Sequence, residues 1–106
     1  MSEHLQTYQI LEGVRRAKAY ALSGFESAVC KVYRPDATFV GEMEIRIDQL
    51  RSRKSVIDIS DPKKRERFDR IARAIAAGRQ IDPIAVEEGA RGCSIADIEF
   101  DTEGMT

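Results

Sequence analysis

The stretch from Phe39 to Asp48 constrains the fold more than any other. Phe39, Gly41, Met43, Ile45 and Ile47 alternate there with Val40, Glu42, Glu44, Arg46 and Asp48. Successive side chains of a strand point to opposite faces, so this pattern makes a strand with one apolar and one largely charged face. A face of that kind must be covered, which calls for further strands and for something packed on them. Residues 28–33 are β-prone, and the intervening Arg34-Pro35-Asp36-Ala37-Thr38 carries the proline and aspartate that turns favour. The two runs are expected to pair antiparallel.

Helices are expected to supply the cover. Asp61-Pro62 offers an N-cap and a first-turn proline, and Phe68, Ile71, Ala72, Ile75 and Ala76 form an apolar stripe that Gly78 brings to an end. Glu66 with Arg70 and Asp69 with Arg73 add favourable pairs one turn apart. Leu5, Tyr8, Leu11, Val14, Ala21 and Leu22 also recur at near-helical spacing, with Ser2 as N-cap and Gly24 as stop, and predict one helix. Gly13 inside it costs about 1 kcal/mol relative to alanine and marks a break or a close contact. Residues 51–60 read as a loop with a short apolar stretch at Val56, Ile57 and Ile59. Residues 81–86 read as a strand whose entry through Pro83 sets its start at a sheet margin. Residues 95–100 read as a final strand after a turn at Gly89–Gly92, and residues 102–106 as a loose tail. The expected fold is α+β: a small antiparallel or mixed sheet of about four strands with two helices packed on one face. It makes a single domain over residues 1–106.

Composition excludes several functions. Of the 106 residues 33% are charged, yet the formal net charge is −1, without the basic excess of a general nucleic-acid binder. The charge is distributed unevenly: residues 51–79 hold 10 basic and 4 acidic side chains, and residues 80–106 hold 1 and 7. Cys30 and Cys93 are far apart and the one histidine is His4, so no metal site is expected and both thiols should be reduced. No apolar run approaches the roughly 18–20 residues of a spanning helix, and nothing resembles a secretory segment, so the expected location is the cytoplasm.

Two charged clusters are the candidate sites. Arg51, Arg53 and Lys54 precede the helix that carries Lys63, Lys64, Arg67 and Arg70. Cations in a helix's first turn oppose the macrodipole, so helix stability does not account for Lys63 and Lys64, and a phosphate, nucleic acid or acidic surface would. Asp97, Glu99 and Asp101, continued by Glu103, recur at every second residue; a strand would set them in one row about 6.7 Å apart. Glu42 and Glu44 are expected to extend that acidic face, a surface suited to the basic channel of a nucleic-acid-binding protein. No catalytic residue is expected: His4 has no partner fixed by spacing, and Gly89-Ala90-Arg91-Gly92 is far from a Walker loop.

Glu44-Ile45-Arg46-Ile47-Asp48-Gln49-Leu50, the basic loop, the helix ending at Gly78 and Pro83-Ile84-Ala85-Val86 together resemble the opening of the ParB/sulfiredoxin-like superfamily. That opening is a strand ending in Asp-x-Leu/Ile, a basic loop, a helix ending in glycine and a Pro-Ile-x-Val strand. In the family a further hairpin then leads to a phosphate motif of the Gly-x-x-Arg or Gly-Cys-His-Arg type, followed by an alanine-rich helix. Here Gly89, Arg91, Gly92 and Cys93 follow Val86 after only Glu87 and Glu88, and the motif's histidine is absent.

The chain is therefore expected to be a non-enzymatic interaction protein without a cofactor. An adaptor, regulator or inhibitor of the mobile-element or phage type fits, acting through the acidic face as a nucleic-acid mimic. The expected partner is a protein, with nucleic acid and a second copy of the chain left open and no membrane. The alternative is a reduced ParB-like module that binds DNA or a nucleotide through the basic loop and helix.

Overall fold

A computed structural model describes residues 6–89 and 91–102. Its strands are β1 (Tyr8–Glu12), β2 (Ser27–Tyr33), β3 (Phe39–Arg46), β4 (Leu50–Ser52), β5 (Val56–Asp58), β6 (Ile84–Glu88), β7 (Cys93–Ser94) and β8 (Glu99–Asp101). The helices are α1 (Val14–Leu22) and α2 (Pro62–Ala76), with 3-10 turns at Ile47–Gln49 and Ile95–Asp97. Six strands form a mixed sheet in the order β3-β2-β6-β1-β4-β7, and β5 and β8 pair parallel as a second sheet. The α+β class stands, while the expectation of about four strands falls short. Three of the additional strands, β4, β5 and β7, are only two or three residues long. Such segments have too little periodicity to show in a sequence.

β2 and β3 pair antiparallel as expected, with Asp36 Oδ1 accepting from the Thr38 amide (2.9 Å) in the turn. Ala28, Cys30 and Val32 are buried and Val29 and Lys31 exposed, so one face of this hairpin is core and the other solvent. β6 runs through the middle of the sheet, parallel to β2 and antiparallel to β1. The strand expected over residues 81–86 is Ile84–Glu88; it begins one residue after Pro83, so the proline stands outside the ladder and removes none of its hydrogen bonds. Val32, Leu50, Ile84, Val86, Ile75 and Ile95 are almost wholly buried, each contributing about 1.5–3 kcal/mol of hydrophobic stabilisation.

The expected first helix is two elements. Residues 8–12 form β1, buried through Gln9 and Ile10 between β6 and β4, and Gly13 turns the chain into α1. Its φ of +113° is a backbone state that side chains disfavour, and a Cβ there would lie 3.2 Å from Ile84. The apolar spacing of residues 8–14 suits a helix, but sheet neighbours on both sides override it. The proposed cap Ser2 lies outside the described residues.

Ala17 and Ala19 are fully buried, and their small side chains let α1 lie close to its neighbours. α2 forms as expected: Asp61 Oδ1 accepts from the Lys63 amide (2.8 Å), and Phe68 and Ile75 are buried. Phe68 meets Phe100 of β8 edge to face, with ring centroids 5.1 Å apart. Lys18 of α1, itself buried, donates to the Ile95 carbonyl (3.2 Å) and lies over the same Phe100 ring. The last expected strand is thus reshaped: residues 95–97 coil into a 3-10 turn that both helices hold through residues 95–100, and only Glu99–Asp101 is extended.

Candidate functional site

A cavity of about 530 Å³ opens where the start of α1, the basic loop after β4 and the side of α2 converge. Its walls carry Arg15, Arg16, Arg53, Lys54 and Arg67, against the carboxylates Glu12 and Asp58. Leu11, Val14, Val56, Ile57 and Ile71 supply an apolar portion. Among the described residues no group of acidic, histidine and cysteine side chains is suited to hold a metal ion.

The basic loop is held by its backbone. Ser52 is fully buried; its Oγ donates to the Lys54 carbonyl (2.7 Å) and accepts from the Lys54 amide (3.1 Å), which closes a tight turn through Arg53. The Cys93 thiol donates to the same carbonyl (3.4 Å). Beneath the loop lies the buried Gln9 carboxamide, and the orientation that satisfies both its ends sets its oxygen on the Arg53 amide (3.1 Å) and its nitrogen on the Arg91 carbonyl. Gly92 rests on the loop so closely that a Cβ would overlap the Ser52 carbonyl oxygen. The loop therefore cannot relax away from the other cations to relieve their repulsion.

The α1 terminus adds to the positive potential. Gly13 gives no side-chain cap and the first turn of α1 has no acidic residue, so no side chain of the helix itself caps its first amides. Arg16 is committed: its Nη1 donates to the carbonyls of Asp82 (2.8 Å) and Pro83 (2.9 Å), which fixes α1 against the entry to β6. Arg15 is not. Its Nε is buried and meets no acceptor among the described residues, an omission worth about 1–3 kcal/mol for a buried donor. At the rim, Asp58 accepts from Lys64 Nζ (2.7 Å), Ser60 Oγ (2.6 Å) and the Ser60 amide (2.9 Å). The Lys64 hydrogen bond, then those from Ser60, hold its carboxyl far below the usual range, and Asp58 in turn raises the Lys64 ammonium. Asp58 is therefore engaged by Lys64 and Ser60, and Glu12 is the other carboxylate on the wall beside Arg15, Arg53, Lys54 and Arg67.

Of the basic residues singled out in the sequence, Arg53, Lys54 and Arg67 come together here, with Lys64 at the rim. Arg51 turns away to the carbonyls of Asp48 (2.7 Å) and Leu50 (2.9 Å), Arg70 pairs with Glu66 (3.4 Å), and Lys63 is exposed on the first turn of α2. The acidic residues do not form one row. Glu42 and Glu44 lie in the six-stranded sheet, Glu99 and Asp101 in the two-stranded sheet, and Asp97 in the 3-10 turn accepts from Ser94 Oγ (2.9 Å). Glu103 lies outside the described residues. Burial raises the Cys30 thiol to about 11, so it stays protonated at neutral pH.

Sequence reasoning marked Gly13 as a break or close contact, which it is, but did not connect it to a site and missed Arg15 and Arg16. Their signal was present: Gly13-Val14-Arg15-Arg16 is a Gly-x-x-Arg pattern followed by Ala17, Ala19 and Ala21. It stands ahead of the segment that resembles the ParB/sulfiredoxin-like opening, not behind it. In comparisons with known proteins, no family model, no curated protein and no solved structure matches this chain.

Proposed function

We propose that the chain binds a phosphorylated ligand of nucleotide size in the cationic cavity, as a ParB/sulfiredoxin-like module whose segments are circularly permuted. The observation that carries the reading is the convergence of an uncapped helix start, five cations and a buried, unsatisfied Arg15 Nε on one concavity. Phosphate offers the geometry and charge that such a set lacks: oxygens that accept from guanidinium forks and from helix-terminal amides together. The concave shape and the apolar wall favour a small ligand with a non-phosphate portion over the flank of a duplex.

Strand order supports the permutation. β6 lies antiparallel to β1 with Glu88 opposite Tyr8, and the Gly89 amide donates to the Thr7 carbonyl (3.1 Å). The pair has the form of a hairpin without its turn. Followed from residue 44 through β6 and then from β1 into α1, the elements take the family's order: strand, basic loop, helix, Pro-Ile-x-Val strand, hairpin, Gly-x-x-Arg and alanine-rich helix. The reading as an adaptor or inhibitor with one acidic face has less support, because its acidic residues are divided between two sheets.

Calorimetric titration with CTP, ATP and pyrophosphate tests the proposal. Saturable binding of at least one is expected. It should weaken more than tenfold in both Arg15→Gln and Arg67→Gln, since a charge-assisted hydrogen bond contributes about 1.5–3 kcal/mol. Absence of heat with all three, at low salt, would remove the reading.

A further inference from the structure

The outer edge of β3 is a second surface, apart from the cavity. Among the described residues β2 is its only strand neighbour. Where β3 ends, the Ile47 amide donates to the Glu26 carbonyl (2.8 Å), and hydrogen-bonded pairs recur at every second residue of an antiparallel ladder. The backbone groups of Ile45, Met43 and Gly41 therefore face β2, and those of Glu42, Glu44 and Arg46 face outward. The register shifts beyond Gly41, so the regular part of the open edge is residues 41–46. Met43 is 41% exposed although it stands opposite the buried Cys30 on the core face.

The solvent face of this edge carries both signs of charge. Lys31 stands opposite Glu42, Ser27 Oγ donates to Glu44, and Arg46 pairs with Asp48 (2.6 Å). The edge is complementary to itself. Two-fold antiparallel pairing keeps like faces together, so each register centres on one residue of β3. Centred on Glu44, it sets Glu42 opposite Arg46 of the copy twice and Met43 opposite Ile45 of the copy twice, the first on the solvent face and the second on the core face. All the outward backbone groups of Glu42, Glu44 and Arg46 then find partners within the regular edge. Glu44 meets its own copy at the centre, where the Ser27 hydrogen bond draws each carboxylate back over its own β2. Other registers do less. Centred on Met43, Glu42 meets Glu44 twice; centred on Glu42, Arg46 falls opposite the turn at Thr38; centred on Ile45, Glu42 falls opposite Asp48 in the 3-10 turn, where the ladder has ended. Opposite charges directly across a ladder stabilise it and like charges destabilise it.

We propose that the chain forms a two-fold dimer in which β3 pairs antiparallel with β3 of a second copy, in the register centred on Glu44. The two six-stranded sheets become one. On its solvent face Lys31, Glu42 and then Arg46 of the copy stand in one cross-strand row, so each Glu42 lies between two cations. On its core face Met43 and Ile45 carry the apolar surface across the axis, and the open edge, a template for uncontrolled pairing, is removed. The inference is independent of the phosphate reading, since it uses none of the cavity's residues.

The test uses the full chain. Sedimentation between about 10 μM and 1 mM should show the mass rising towards that of two chains, the range suited to a small interface. On dilution, amide NMR shifts should concentrate on residues 41–46. Arg46→Glu and Glu42→Arg should each weaken self-association at least about tenfold, because each sets like charges opposite one another twice. Mixed together, the two variants should pair with each other to within about threefold of the native affinity, since both cross-strand pairs are then opposite in charge. A native chain that stays monomeric to about 1 mM, dilution shifts elsewhere, or two variants that fail to pair when mixed would each overturn the proposal. Should either variant fail to fold, the dilution series on the native chain decides the matter alone.

Discussion

The cationic cavity and the β3 edge carry their charges in different ways. At the edge, Glu42 and Glu44 project from the solvent face of β3, where water screens them, Lys31 stands opposite Glu42 and Ser27 Oγ donates to Glu44. Little has to be built to keep them there. In the cavity, cations from α1, the loop after β4 and α2 are brought together against their repulsion, and the backbone around Ser52, Gln9 and Gly92 holds the loop in place. Charge that a fold fixes at such cost is organised in advance for a counter-charge, whereas charge on an open strand is balanced by its neighbours and by water.

Replacing Gly92 should break this contrast most severely. Gly92→Ala sets a Cβ into the Ser52 carbonyl at a φ of +126°, and should lower stability by about 3 kcal/mol or more while displacing Arg53 and Lys54. Thermal melting together with pyrophosphate titration would register both losses; Gly41→Ala, whose Cβ would meet nothing within 4 Å, should cost much less. Next in size is Arg53→Gln. Phosphate affinity should drop about tenfold with the melting temperature nearly unchanged, because the side chain is exposed and the loop is held by main-chain contacts.

The two thiols report on the two regions separately. Cys30 is buried in β2 with its thiol raised to about 11, whereas Cys93 lies half-buried beside the basic loop. In the native protein at pH 8, alkylation followed by mass spectrometry should modify Cys93 at least about a hundredfold faster than Cys30. Comparable rates would mean that the β2–β3 hairpin opens readily. The smallest effect is expected from Asp58→Asn, which frees Lys64 at the cavity rim and should tighten pyrophosphate binding by about twofold to fivefold. The pH dependence follows from the depressed Asp58 carboxyl. Its stabilising pair with Lys64 is fully present above the unfolded carboxylate value near 3.9 and is lost progressively as pH falls from there through the lower folded value. Melting temperatures of the native chain and of Asp58→Asn should therefore differ by a constant amount from pH 5 to pH 8.

The two regions also differ in how much of them the sequence makes visible. β3 was legible because alternation is a local property, and α2 because Asp61, Pro62 and Gly78 punctuate one amphipathic run. β1 was not, since what makes it a strand is its place between β6 and β4, which residues 8–12 do not encode by themselves. The cavity suffers from the same limit. Arg53, Lys54 and Arg67 could be picked out as a basic cluster, but Arg15 lies about forty residues from the loop it faces, and only the return of β1 beside β4 brings them together. The acidic row was misjudged because residues 95–97 coil to bring Ile95 and Ile98 into the core, which the alternation of residues 97–101 conceals.

The proposed phosphate site is the cavity between α1, the basic loop and α2. An amide-resolved NMR titration of the native chain with pyrophosphate tests it most directly. Saturable shifts are expected at residues 13–17, 53–54 and 67, with residues 39–46 unmoved. Shifts spread evenly over exposed lysines and arginines, or none at the start of α1, would contradict it.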